Sequence, residues 1–246
     1  MNPTNIEWTN IFGPGTGFTY NPIVGCTEGC PYCYARRQAK RQKHNCELCY
    51  MFTPHLHSER LEQPLKRKKP SGIFLGSMTD LWDPHVPQAW RDQVWGVVAK
   101  CPQHVFWVLT KQPQNMTNAD CYATAGQALW TGVSYDGNPL WGERRIEELG
   151  AWTSDTEFNP HFVSLEPLLR EPGSADVEIM ASIGVEWLIV GAQTGPGAPL
   201  PQREWIDRIV DDADEHGIVV FLKDNLAPVM GDNLRQEWPE RMKLNV

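Results

Sequence analysis

The sequence predicts an α/β fold, a partial TIM-like (β/α)6-7 barrel, on three observations. Seven short apolar runs rich in β-branched and aromatic residues recur along the chain, nearly continuous in the manner of strands buried on both faces. Segments with helical spacing separate most of them, and parallel strands joined by helices cross over in one hand only. Six or seven such units are too regular for segregated α and β regions. That leaves a barrel or an open doubly wound sheet, and an incomplete barrel is preferred.

The first run is "FTYNPIVG" (18–25), followed by a cysteine-bearing loop and a helix over 33–44. Next come "GIFLGSM" (72–78) with a helix over 87–101, "HVFWVLT" (104–110), and "ALWTGVS" (128–134) with a helix over 139–149 that Gly150 is placed to end. "HFVSLEP" (161–167) precedes a helix over 175–183 and Gly184, and "EWLIVGA" (186–192) follows. The clearest helix is "REWIDRIVDDADEHG" (203–217), where Trp205, Ile206, Ile209, Val210 and Ala213 form one apolar stripe and Gly217 ends it. "IVVFLKD" (218–224) closes the series. The one interruption is 44–71, too long for an ordinary connection. With no linker or low-complexity tract, a single barrel domain over 1–246 is expected, carrying a Cys/His-containing basic insertion at about 44–71.

The chain of 246 residues is 41% hydrophobic, yet no apolar run approaches the roughly 18 to 20 residues of a bilayer span. The start "MNPTNIEWTN" has no basic segment followed by an apolar one, so a cytoplasmic protein without a membrane partner is expected. Seven cysteines, an odd number without a secretion signal, favour metal binding or catalysis over disulfides. The net charge of −8 argues against a generally basic nucleic-acid binder. Charge is uneven, however: between Arg36 and Lys69 ten Lys/Arg oppose three Glu, so one face is expected to attract anions.

Cys26, Cys30 and Cys33 follow the first run at the spacing C-x3-C-x2-C, on a loop at the carboxyl end of a strand, where barrel enzymes build their sites. Gly25, Gly29 and Pro31 let the loop curl until three sulfurs converge. Structural zinc wants a fourth ligand, which a distant His or Cys would have to supply. A [4Fe–4S] cluster on three thiolates instead leaves one iron open for a small molecule.

The stretch "CTEGCPYC", with Tyr32 just before the third cysteine, resembles the cluster loop of the radical S-adenosylmethionine (radical SAM) superfamily. That resemblance implies a radical SAM-type partial barrel whose open iron chelates SAM. It implies an external electron donor and cleavage of SAM to methionine and a 5′-deoxyadenosyl radical. Across nearly the whole chain the sequence is also similar to a phage and prophage protein family grouped with radical SAM proteins. The matching stretches are "YNPIVGC", "PHLHSERLEQPLKRKKPSGIFLGSMTDLW", "VFWVLTKQPQNM", "LWTGVSY", "FVSLEPLL" and "WLIVGAQTGPGA". The likeness implies a fold and a cofactor and carries no substrate.

"CELCYMFTPHLH" places Cys46 and Cys49 at C-x2-C ahead of His55 and His57, a ligand set suited to tetrahedral zinc. An auxiliary iron–sulfur cluster, or unliganded thiols beside hydrogen-bonded histidines, are the alternatives. "RRQAKRQKH" and "LKRKKP" flank this segment and point to an anionic substrate: nucleic acid, a nucleotide or a phosphorylated small molecule.

In a barrel the polar residues at strand ends face cofactor and substrate. The second strand offers Ser77, Thr79 and Asp80; by resemblance this end holds the methionine amino group of SAM, with Ser77 and Asp80 as candidates. Later strands offer Thr110 and Lys111, then Ser134, then Ser164 and Glu166, then Gln193, and finally Lys223, Asp224 and Asn225. Tyr32, Ser77, Asp80, Ser134, Glu166 and Gln193 form the expected SAM-binding set. An acid between Leu165 and Pro167 needs a partner such as ribose hydroxyls of SAM or a substrate amine; Glu166 and Lys223 are read as the catalytic candidates, Lys223 binding a carboxylate or phosphate or pairing with Glu166. Cys101 and Cys121 read as small apolar residues, and Trp82 as core or as a stacking surface for adenine or a base. The functional expectation is a radical SAM enzyme acting on a phosphate-bearing substrate, with nucleic-acid base modification preferred. The rival is a zinc-dependent, non-catalytic binding module in which the cysteines serve structure.

Overall fold

The computed structural model describes residues 1–117, 120, 129–136, 142–153, 161–232 and 234–244. The seven apolar runs form the parallel strands of one sheet. These are β2 (Gly17–Tyr20), β5 (Ser71–Leu75), β6 (His104–Thr110), β7 (Leu129–Ser134), β8 (His161–Leu165), β9 (Val185–Val190) and β10 (Val219–Leu222). They pair in that order, with β1 (Asn2–Pro3) added antiparallel at the β2 edge. The expected strand 18–25 is divided. Pro22 has no N–H for a ladder, and the chain turns off the sheet after Tyr20; β3 (Ile23–Val24) then pairs antiparallel with β4 (His55–Leu56) from the insertion.

The helices are α1 (Tyr34–Ala39), α2 (Glu47–Met51), α3 (Gln88–Val98), α4 (Gly142–Thr153), α5 (Ser174–Ser182), α6 (Arg203–Glu215), α7 (Ala227–Met230) and α8 (Arg241–Leu244). The stripe on α6 buries Ile206, Ile209 and Ala213, and Gly217, at φ +71°, turns the chain into β10. Gly150 does not end its helix. It lies inside α4, where a Cβ would meet Ile183 at 2.7 Å, so its smallness serves close packing rather than termination.

Alternate residues of the strands serve two cores. Val163, Leu165, Leu188, Val190, Val220 and Leu222 pack under helices with Ile146, Met180, Ile206 and Ile209. The opposite face carries Trp107, Trp130, Phe162, Trp187 and Phe221 around Trp8. The Trp8 ring lies 4.9 Å from Phe74, 5.5 Å from Trp107, 6.5 Å from Phe162 and 6.2 Å from Trp187. Strands spaced about 4.8 Å apart in a flat sheet would put β5 and β9 about 19 Å from each other. One indole touching both therefore requires a sheet curled around it. Among the described residues no pairing joins the β10 edge to the β1 edge. Gln236 bridges Phe221 instead, and the Leu222 N–H donates to the Arg235 carbonyl at 2.7 Å, so a returning segment covers that edge.

No described helix is long and apolar enough to cross a membrane. Cys101 is buried after α3, whereas Cys121 lies outside the described residues. Of the two readings of Trp82 the core one holds and the stacking one does not: it is 2% exposed, packs on Trp95 and donates its indole N–H to Asp120 at 3.1 Å, which leaves no face for a base. Of the two basic runs, Arg36–Lys43 lies on and just beyond α1, directly after the cysteine loop, and Lys66–Lys69 directly precedes β5.

Candidate functional site

The loop that carries Cys26, Cys30 and Cys33 begins at Gly25, which sits at φ +102° with its backbone against Thr53; a Cβ there would lie 2.3 Å from the Thr53 carbonyl carbon. Its N–H donates to the Met78 carbonyl at 3.0 Å and its own carbonyl accepts the Thr79 hydroxyl at 2.6 Å, tying the loop to the end of β5. Further on, the Thr27 N–H and hydroxyl both donate to one Asp83 oxygen, at 2.5 and 2.7 Å. Arg145 on α4 holds Glu28 at 2.9 Å while donating to the Lys111 and Ser134 carbonyls at the ends of β6 and β7. The Tyr32 hydroxyl donates to Asp136 at 2.5 Å, and Arg37 bridges the Tyr32 and Thr194 carbonyls at 3.0 and 3.2 Å. The loop is thus fastened across the carboxyl ends of β5, β6, β7 and β9.

The three thiols are partly exposed. The Glu28 N–H donates to Cys26 Sγ at 3.4 Å, and the Arg36 N–H donates to Cys33 Sγ at 3.3 Å, where Cys33 caps α1. Burial pushes the Cys26 and Cys30 thiols up, and the ammonium of Lys111 opposes the shift at Cys30. Burial pulls Lys111 itself down, with Cys30 and Asp136 acting against that and Arg145 reinforcing it. A metal binds thiolates and would displace the protons that burial holds on Cys26 and Cys30, and the N–H donors aimed at Cys26 and Cys33 favour the thiolate form. The donor set therefore fits a cluster on three cysteines.

The strand-end residues divide into committed and available groups. Asp80 is buried and accepts from the Thr110 hydroxyl at 2.7 Å, the Lys111 N–H at 2.8 Å and the Trp82 N–H at 3.0 Å, so its carboxylate organises the neighbouring loops. The Ser77 hydroxyl pairs with the Asn21 amide, and its carbonyl accepts the Tyr34 hydroxyl at 2.6 Å. Asn225 bonds both polar backbone atoms of Ala192. Glu166 and Lys223, 57 residues apart in sequence, form an ion pair. Burial alone would lower the Lys223 ammonium, but the Glu166 carboxylate, helped by Glu7 and Asp224, outweighs this and holds it above its ordinary value. Ser134 ends β7, and Gln193, partly buried, follows β9.

Beside Lys111 lies a cavity of about 340 Å³ lined by Glu28, Lys111, Gln114, Arg144, Arg145 and Glu148. A larger groove of about 440 Å³ between the insertion and α3 contains no cysteine and none of the strand-end residues. Asp83, Arg145, Glu28, Asp136 and Arg37 were not legible as site residues; "TDLWDPH" placed an acid just past a strand end, which was the available signal for Asp83.

A second group is compact. The ligand atoms of Cys46, Cys49, His55 and His57 all lie within 4.8 Å of one another, and the group is suited to hold a metal ion. Burial pushes the Cys49 thiol up to about 11 and His57 below its ordinary value.

Comparison with solved structures finds the crystal structure of Streptococcus suis SuiB bound to S-adenosylmethionine, at a TM-score of 0.52 and 8% identity. The match covers 84% of this chain and 46% of that one, so the chain spans less than half the length of this neighbour, and the likeness is one of fold. No curated protein matches the sequence. Residues 3–232 match the family model described as "Protein of unknown function (DUF5131)", and the chain belongs to that family.

Proposed function

We propose that this chain is a radical SAM enzyme in which Cys26, Cys30 and Cys33 hold a [4Fe–4S] cluster, with SAM at the iron that lacks a protein ligand. The observation that carries the reading is the three-thiol loop: partly exposed sulfurs, two receiving N–H donors, fastened over the carboxyl ends of parallel strands. Likeness of fold to a SAM-bound protein supports it. The chemistry supplied by the bound pair is one-electron cleavage of SAM, with the electron from an external donor, to methionine and a 5′-deoxyadenosyl radical that abstracts hydrogen from substrate.

In this reading Lys111 offsets thiolate charge near Cys30, and Asp80 acts as a positioning residue by fixing the Lys111 N–H. Tyr32, held by Asp136, lies 5.5 Å beneath the Lys111 ammonium. The lining of the 340 Å³ cavity bears both signs of charge, which suits a ligand with a carboxylate and a cationic centre. Ser77, Ser134 and Gln193 remain the strand-end contacts for SAM. Glu166, neutralised by Lys223, accepts hydroxyl or amine protons without carrying an isolated charge into the site. Exposed Arg37, Lys40, Arg41 and Lys43 beside the loop favour a phosphate-bearing substrate, with a nucleic-acid base in a phage setting as the preferred target. The non-catalytic rival loses ground because the compact Cys/His group accounts for Cys46 and Cys49 without drawing on the other three thiols.

The test is anaerobic reconstitution with iron and sulfide, dithionite reduction and measurement of 5′-deoxyadenosine from added SAM, with Cys30→Ala as control. Release abolished by the substitution is expected. A colourless protein that releases none would overturn the reading.

A further inference from the structure

The group formed by Cys46, Cys49, His55 and His57 takes no part in the chemistry above. We propose that it holds one tetrahedral zinc ion, and that this ion fixes the strand pair from which the three-thiol loop springs. The inference holds whether or not the loop performs radical chemistry.

The spacing is that of donors around a single centre. Cys46 Sγ and Cys49 Sγ lie 3.5 and 3.4 Å from His55 Nε2, Cys49 Sγ lies 3.2 Å from His57 Nε2, and the two Nε2 atoms are 2.9 Å apart. Zinc with its usual bonds to nitrogen and sulfur gives tetrahedral edges of about 3.3 to 3.8 Å; the sulfur–nitrogen separations lie toward or just below the short end of that range, and the two Nε2 atoms would part by about 0.4 Å to admit the ion. A multi-iron cluster assigns its ligands to different irons and spreads them further, which disfavours the auxiliary-cluster alternative.

The contacts behind the rings suit metal ligands. His55 Nδ1 lies 2.8 Å from the Thr53 carbonyl, which can only accept, and His57 Nδ1 lies 2.9 Å from the Glu59 carboxylate. Both rings thus turn Nε2 toward the thiols and toward each other, 2.9 Å apart, as two imidazoles sharing one metal ion would. The carbonyl and carboxylate behind the rings are the outer partners by which proteins orient ligand histidines. Four protein ligands close the site, as structural zinc requires.

The ion's position defines its task. His55 and Leu56 on β4 pair with Val24 and Ile23, two and three residues before Cys26. The His57 N–H donates to the Pro22 carbonyl at 2.7 Å, and the Phe52 carbonyl accepts the Cys26 N–H at 3.3 Å. Phe52 is held in the left-handed region at φ 57° and clusters with Ala35 and Ala39, the group against which Cys26 and Cys33 pack. A five-residue helix and a two-residue strand supply little core of their own to hold this arrangement.

The full chain, purified without added metal and dialysed against EDTA, is expected to retain about one zinc by elemental analysis. Cobalt exchanged into the site should show the intense visible bands of a tetrahedral thiolate–imidazole complex. Glu59 is exposed, so Glu59→Ala should leave the fold intact while weakening zinc about 10- to 100-fold in competition with a chromogenic chelator. Stripping zinc from the unmodified chain should speed hydrogen exchange at the Cys26 amide at least about tenfold. Absence of zinc, iron in its place or an octahedral cobalt spectrum would overturn the site. Unchanged Cys26 exchange in the stripped protein would overturn its positioning role.

Discussion

Two cysteine-bearing segments, only 12 residues apart between Cys33 and Cys46, use similar donors in contrasting ways. Around Cys46, four donors crowd within 4.8 Å, each histidine backed by an acceptor, and a metal there has its coordination complete. Around Cys26, three partly exposed sulfurs, two of them with N–H donors, form no such compact four-donor group among the described residues. What separates a structural from a reactive metal site is the number of ligands the chain supplies and the freedom it leaves around them. The difference extends to attachment: the compact group is local, its donors spanning residues 46–57, whereas the open loop is held by partners up to 157 residues distant in sequence.

The largest disturbance is expected where the two regions share backbone. Gly25 touches Thr53 of the compact segment and begins the open loop, so Gly25→Ala introduces both positive-φ strain and a clash with a main-chain carbon. A loss of about 2–5 kcal/mol in chemical denaturation is expected, with zinc and iron retention falling together. Loss of iron alone would show that the regions are independent despite their contact.

Asp83→Asn should separate them. The substitution weakens acceptance from Thr27 and is expected to destabilise by about 1–3 kcal/mol. Iron loading should fall while zinc is retained. The pH dependence has a definite sign. Burial would raise the Asp83 carboxyl, but the donors of Thr27 and His85 outweigh it and hold the group below its ordinary value of 3.8. Its stabilisation is therefore present above the unfolded value and lost as pH falls through the folded one. Loop exchange in the native chain should accelerate in that acid window, and the Asn variant should lack this component.

The contrast between local and distant attachment also explains what could be read from the sequence. The seven strands were legible because burial on both faces writes itself as continuous apolar runs, and the Cys/His group because its ligands are neighbours in the chain. The break at Asn21–Pro22 was hidden because "FTYNPIVG" remains apolar on both sides of it. Trp8 gave no sign of its place at the centre of the curled sheet, since one indole in a polar stretch has no periodicity. Arg145 reads in "GERRIEELG" as a solvated helix charge; only the fold brings it to Glu28, 117 residues away. Gly150 was misread because its packing partner, Ile183, belongs to another unit.

The smallest effect, and the finest test of how the open loop is held, lies in the Arg145–Glu28 pair. The side chains are 10% and 27% exposed, so water screens part of the attraction. Arg145 has two further acceptors, the Lys111 and Ser134 carbonyls, whereas Arg145 is the one side-chain donor to the Glu28 carboxylate among the described residues. Glu28→Gln should thus cost about 0.5–1 kcal/mol, and Arg145→Ala about 1.5–3 kcal/mol because it also strands two carbonyls. A double-mutant cycle isolates the shared part, expected to match the smaller figure. A coupling near zero would mean that the loop rests on Asp83 and the backbone alone. A coupling as large as the Arg145→Ala effect itself would mean that the carbonyl contacts contribute nothing and that a single ion pair sets the position of Cys30 over the strand ends.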